Sequence, residues 1–189
     1  MNLNDKIVYG IERLSDAFKT LLWEEAKTYG ISPIQIQILL FVSEHRSELC
    51  QVSHLAKEFN VTKPTISDAV RVLNNKGYLR KEHSSADNRS YSLFITPQGK
   101  TLVDKVSGYK NPVLKAIKEL DHIQHEQLYA SLANIIYNLN QKGILEVQRT
   151  CFACRFHEKT SGTSYCNLLQ KKLKTIDIRL DCNEFESKT

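Results

Sequence analysis

Leu55-Ala56-Lys57-Glu58-Phe59-Asn60-Val61-Thr62-Lys63-Pro64-Thr65-Ile66-Ser67 is the stretch whose reading decides the fold. From Val52 to Phe59, Leu55, Ala56 and Phe59 share one side, the stripe of a short amphipathic helix. Asn60-Val61-Thr62 is the connector, since Asn tolerates the left-handed backbone of a tight turn. A second helix runs from Lys63 to Lys76, with Ile66, Ala69, Val70 and Leu73 spaced to face inward and Gly77 as its stop. Its other face carries Lys63, Thr65, Ser67, Asp68, Arg71 and Asn74, all polar.

Downstream, the apolar period shortens from 3.6 to 2. Tyr78–Glu82 and Tyr91–Ile95 read as two short strands of a hairpin, and His83–Ser90 as its long polar tip. Thr96-Pro97-Gln98-Gly99 starts another helix that runs through Leu102 and Val106 toward Gly108 and resumes near Pro112. Leu128, Leu132, Ile135, Ile136 and Leu139 carry a last long helix, which Gly143 breaks. Upstream, Ile7, Ile11, Leu14, Phe18, Leu21 and Leu22 mark an amphipathic helix from Leu3 to Tyr29, stopped by Gly30. Ser32-Pro33 opens a second helix whose dense apolar positions, Ile36 to Val42, predict burial.

A polar helix face alone would be no more than the solvated side of a bundle. A basic hairpin directly after it changes the meaning, because short helix, tight turn, polar-faced helix and hairpin make a winged helix-turn-helix. The expected class is mainly α with a small β-hairpin wing. A helix clamped by an apolar inner face can offer hydroxyl and guanidinium groups to base edges in a major groove. Thr65, Ser67 and Arg71 are the candidates for that contact, Lys63 and Arg80 for phosphates, and Arg89 in the hairpin tip for a minor groove or phosphate. The charge fits a polyanionic partner without requiring one: 26 Lys and Arg against 21 Asp and Glu give a net +5. Most of the excess lies from Thr62 to Lys105, where eight basic residues stand against four acidic ones.

The same residues carry a resemblance. Leu55–Ser67, Val72-Leu73-Asn74-Asn75-Lys76-Gly77-Tyr78-Leu79-Arg80, Asp87-Asn88-Arg89-Ser90 and Ile95-Thr96-Pro97-Gln98-Gly99 together resemble the MarR family of bacterial transcriptional regulators, over residues 5 to 142. The resemblance implies a homodimer on pseudo-palindromic double-stranded DNA, acting as a repressor, with an unknown small-molecule or redox effector. It also implies that the first and last helices entwine across a two-fold axis. The Ile7, Ile11, Leu14 and Leu132, Ile135, Leu139 stripes would then be dimer surfaces, although spacing alone equally allows intramolecular core. In the family an aspartate orients the wing arginine, a role carried to Asp87 and Arg89.

Residues beyond Thr150 differ. They lack aliphatic periodicity and hold four of the five cysteines, which places a boundary near Glu146–Arg149 and two domains, 1–146 and 147–189. Cys151, Cys154, Cys166 and Cys182 form a C-x2-C-x11-C-x15-C pattern. Two thiolates on a knuckle and two from later turns can surround one metal centre per chain. Zinc is the first expectation for a structural role. An iron–sulfur cluster also takes four cysteines, and would make the protein a redox or iron sensor. A module this small buries too little apolar surface to fold without the metal. A thioredoxin-like role for Cys151 and Cys154 wants a strand before the pair, whereas a helix and linker precede it. Cys50 reads as a small buried hydrophobe sooner than a thiol sensor, His157 as a surface residue sooner than a further ligand, and His122 and His125 as solvated.

No phosphate-binding loop, nucleophile elbow or paired-histidine helix marks an enzyme. No apolar run reaches the roughly 18 residues of a membrane span. The N-terminus, Met1 to Lys6, lacks the basic flank and apolar run of a secretory signal, so a cytoplasmic location is expected. The alternative from another class is a protein-interaction module, with the winged helix and metal knuckle as docking surfaces.

Overall fold

The computed structural model describes residues 1–84, 87–160 and 162–188, with residues 84 and 87–90 described in their backbone only. Its contacts divide the chain into two compact units, one of residues 1–56 and 61–115, the other of residues 57–60 and 116–189. Among the described residues no helix is long and apolar enough to cross a membrane.

The first unit begins with α1 (Leu3–Tyr29), capped by Asn2 and ended by Gly30 at φ 61°, then α2 (Pro33–Glu44) behind the Ser32 cap. α3 (Val52–Glu58), Asn60 at φ 51° and α4 (Lys63–Asn75) form the helix-turn-helix, and α4 buries Ile66, Ala69, Val70 and Leu73 as its spacing predicts. These meet Ile36, Ile38 and Leu39 of α2 and Leu55 of α3, all fully buried, in one core. The antiparallel strands β1 (Leu79–Ser84) and β2 (Asp87–Ile95) follow, then α5 (Pro97–Val106), a 3-10 turn and α6 (Asn111–Lys118). Leu79 and Leu93 close the core from the hairpin, whose base is tied down by the Leu93 N–H donating to the Cys50 carbonyl at 2.9 Å.

Pairing continues from Leu79–Ile95 out to Ser84–Asp87, so most of the expected polar tip is strand. Residues 81–83 are exposed, and a ribbon with no buried face needs no apolar alternation. The period-2 signal therefore vanishes where the ladder does not.

The Thr96–Gly99 pattern has a direct physical cause. The Thr96 hydroxyl donates to the Gly77 carbonyl at 2.6 Å and accepts from the Gly99 N–H at 3.0 Å, so it ties α5 to the turn after α4. A Cβ at Gly99 would stand 2.0 Å from the Tyr78 carbonyl oxygen. Only glycine allows that approach.

The second unit is built on α7 (His122–Gln141), capped reciprocally by Asp121 and Gln124. A 3-10 turn at Cys151–Ala153 leads into an antiparallel sheet of β3 (His157–Thr160), β4 (Thr163–Cys166) and β5 (Lys171–Leu173), in that order. The tail packs on α7: the Tyr129 hydroxyl donates to the Ile178 carbonyl, and Tyr137 meets the Phe152 ring edge-on at 5.6 Å. These contacts group α7 with the cysteine-bearing tail, whereas the sequence boundary at residue 146 separates them. Residues 149–151 run alongside 179–182, with the Cys151 N–H donating to Arg179 and the Cys182 N–H to Arg149, both at 3.0 Å.

Candidate nucleic-acid interface and metal centre

Thr62 sets the orientation of α4. Its hydroxyl oxygen accepts from the Thr65 N–H at 3.3 Å and lies 2.8 Å from the Thr65 hydroxyl, so Thr65 is held at the first turn. Lys63, Thr65, Ser67 and Arg71 are all exposed on one helix whose opposite face is core. Arg71 donates to Asp68 at 2.8 Å, both side chains mostly exposed. In water such a pair contributes little, so Arg71 is free to exchange Asp68 for a stronger acceptor. Arg80 on β1 lies 4.9 Å over the Phe94 ring and pairs with Glu82, which holds the guanidinium at the base of the hairpin. Asp87 and Arg89 stand on β2, the latter two residues beyond the Ser84–Asp87 pair; their side chains, and the pairing expected between them, lie outside the described residues.

The cysteine positions converge in the second unit. Cys151 and Cys154 flank a tight 3-10 turn, Cys166 ends β4, and Cys182 follows the strand-like crossing with Arg149. All four are free thiols and all four line one cavity of about 220 Å³. Phe156, Leu168, Leu169 and Ile176 contribute apolar walls. Burial and the Cys182, Cys154 and Cys166 thiols push the Cys151 thiol up, opposed by the backbone N–H of Arg179. That N–H donates to Cys151 Sγ at 3.3 Å, and Arg179 Nη1 lies 3.7 Å from Cys182 Sγ. Among the described residues, no three His, Cys, Asp or Glu side chains come close enough together to hold a single metal ion.

Of two further residues at this cavity, Arg179 escapes sequence reasoning and His157 is weighed there as a ligand but expected at the surface. Arg179 has no motif signature, because its role depends on a strand crossing that brings 179 beside 151. His157 lines the cavity directly across the ladder from Cys166 and so is not the surface residue expected of it. Its Nε2 is buried and has no hydrogen-bond partner among the described residues. His122 and His125 are exposed, the first 3.9 Å from Glu126 and the second bonded to the Asp121 carbonyl. Cys50 is buried, and burial and Glu48 push its thiol up to about 11.

The MarR family's model matches residues 29–90, the span from the end of α1 through the hairpin. That stretch is similar to the winged helix of the MarR family. The HTH-type transcriptional repressor YetL of Bacillus subtilis (strain 168) is 29% identical over 76 residues, 40% of this chain and 46% of that protein. The match thus spans less than half of that repressor's length. Among solved structures, the S. aureus MepR–DNA complex superposes with a TM-score of 0.61 at 22% identity, over 70% of this chain and 97% of that one. A MarR transcriptional regulator from Methanosarcina mazei Go1 gives 0.59 at 23% identity, over 73% and 98%. BldR from Sulfolobus solfataricus gives 0.55 at 24%, over 73% and 99%. At these identities the structures establish the fold. Cys151, Cys154, Cys166 and Cys182 lie outside the matched stretch.

Proposed function

We propose that this chain is a cytoplasmic, homodimeric, sequence-specific DNA-binding transcriptional repressor, without catalytic activity, whose tail carries one metal centre per chain on Cys151, Cys154, Cys166 and Cys182. The observation that carries DNA binding is the exposed polar face of α4, clamped by a core within a MarR-type winged helix. MepR was crystallised with DNA and YetL is a repressor, which favours the same use here over the protein-docking alternative.

Dimerisation draws support from apolar stripes left bare in the single chain. On α1, Ile7 is 47% and Leu14 55% exposed, and only Leu22 and Ala26 of that helix are buried. On α7, Leu132 and Ile135 are likewise exposed. Contiguous bare apolar rows of this kind fit an isologous interface. Two recognition helices would then meet two half-sites about one turn of DNA apart.

For the tail to regulate DNA binding, whatever enters its cavity must favour one dimer arrangement over another. Turn residues Lys57–Asn60 belong to the same compact unit as the cysteines, and Arg149 reaches both Glu58 and Asp181, the neighbour of Cys182. A shift of Asp181–Cys182 on loading or loss of the metal acts through Arg149 on the end of α3. The test compares metal-loaded and metal-free dimer on the same duplex: unequal affinity supports the coupling, and equal affinity makes the tail purely structural.

A further inference from the structure

We infer that the cavity between Cys151, Cys154, Cys166 and Cys182 takes an iron–sulfur cluster rather than a lone zinc ion, with Arg179 and His157 as hydrogen-bond donors to its sulfurs. The inference rests on the metal-centre proposal above and adds the class of centre.

A lone zinc draws its sulfurs to about 2.3 Å from one point, which leaves them nearly in mutual contact. No such convergence exists among the described residues. The four cysteines instead line one cavity of about 220 Å³ together with ten other residues. A cluster places iron and sulfide between the thiolates, so cysteines that share a cavity without converging on one point are an arrangement it can use.

Phe156, Leu168, Leu169 and Ile176 supply apolar walls, the last three still open to solvent, and Lys171, Asp177 and Glu184 line the same cavity. Among the polar groups lining the cavity, Arg179 and His157 are placed to donate to sulfur. The Arg179 backbone N–H and guanidinium already point at Cys151 and Cys182, and bring positive charge to a centre that four thiolates make anionic. Across the cavity, His157 stands beside Cys166 with a buried Nε2 that no group among the described residues satisfies. A buried imidazole nitrogen without a partner is costly, and a cluster sulfide within reach would supply one.

The whole 189-residue chain, purified without oxygen from cells supplied with both iron and zinc, decides the matter. Iron and acid-labile sulfide in equal amounts, with a broad absorption near about 400 nm, are expected, and Cys166→Ser should lose most of both. A colourless protein carrying only zinc overturns the cluster but leaves the metal centre standing. Folded protein with neither metal overturns both. Arg179→Ala and His157→Phe should retain iron yet lower the midpoint potential, because a hydrogen bond to sulfur stabilises the more negative reduced state. An unchanged potential in both variants refutes the donor roles.

Discussion

Arg149 and Glu58, 91 positions apart in sequence, meet with Nη1 2.8 Å from Oε2. The same guanidinium takes Asp181 through Nε at 2.6 Å, and the arginine side chain is only 7% exposed. Burial alone would pull the Arg149 pKa down, but the hydrogen bonds it donates to Asp181 and Glu58 more than offset it and hold the charge firmly. A buried cation bridging two carboxylates is costly to break, because removing it strands like charges beside each other.

Arg149→Ala should therefore destabilise the folded chain by about 3 kcal/mol, the lower end of the range for a broken buried pair, since Asp181 is partly exposed. Urea unfolding of wild type and variant gives the number. A loss below about 1 kcal/mol would show the triad to be a surface pair in effect.

Gly99→Ala tests the packing behind the Thr-x-x-Gly pattern. The added methyl meets backbone, not a movable side chain, at 2.0 Å. A cost of about 1–3 kcal/mol is expected from such overpacking. Thr96→Ala should cost about 1 kcal/mol through the lost cap. Variants as stable as wild type would mean that α5 does not pack on the Tyr78 carbonyl as described.

Cys50 gives a pH prediction. Its thiol rises from 9.0 to about 11 in the fold, so the folded state holds the proton more tightly than the unfolded chain. The associated stability is complete below pH 9 and is lost as pH rises toward 11. Cys50→Ala should flatten that part of the stability curve. In native, metal-free protein at neutral pH, iodoacetamide should label Cys50 more slowly than Cys166. Equal rates would place Cys50 at the surface.

On DNA, Lys63→Ala should weaken binding to all sequences alike and reduce the salt slope by roughly one unit. Arg71→Ala should instead relax specificity at one base pair, at about 1–3 kcal/mol. Arg89→Ala should lower affinity. If all three substitutions leave the affinity and slope of a bound duplex unchanged, α4 and the hairpin are not the contact surface.

Much of this architecture is legible before any coordinates. Gly30, Asn60 and Gly77 sit at positive φ where stops and the turn are expected, and α4 buries the four residues its period selects. These are local rules, settled within a turn or two of chain. The outer half of the hairpin escapes because His83 and its neighbours have no buried face to enforce alternation. β3 escapes for the same reason, since His157-Glu158-Lys159-Thr160 lies mostly exposed. Arg149 and Arg179 are invisible in sequence because each acts on a partner about thirty or more positions away, at 181 and 58 for one and 151 for the other. The cysteine pattern is plain, but the sharing of one cavity by all four cysteines with Arg179 and His157 is visible only in three dimensions.

Selecting duplexes from a random pool with the whole 189-residue chain, and then measuring affinity against salt on the winner, tests the central claim most directly. A DNA-binding regulator predicts a selected sequence with two half-sites about one helical turn apart. It also predicts an affinity falling steeply with salt, by a slope of about −0.9 per phosphate neutralised. No enriched sequence, together with salt-insensitive binding, would contradict it.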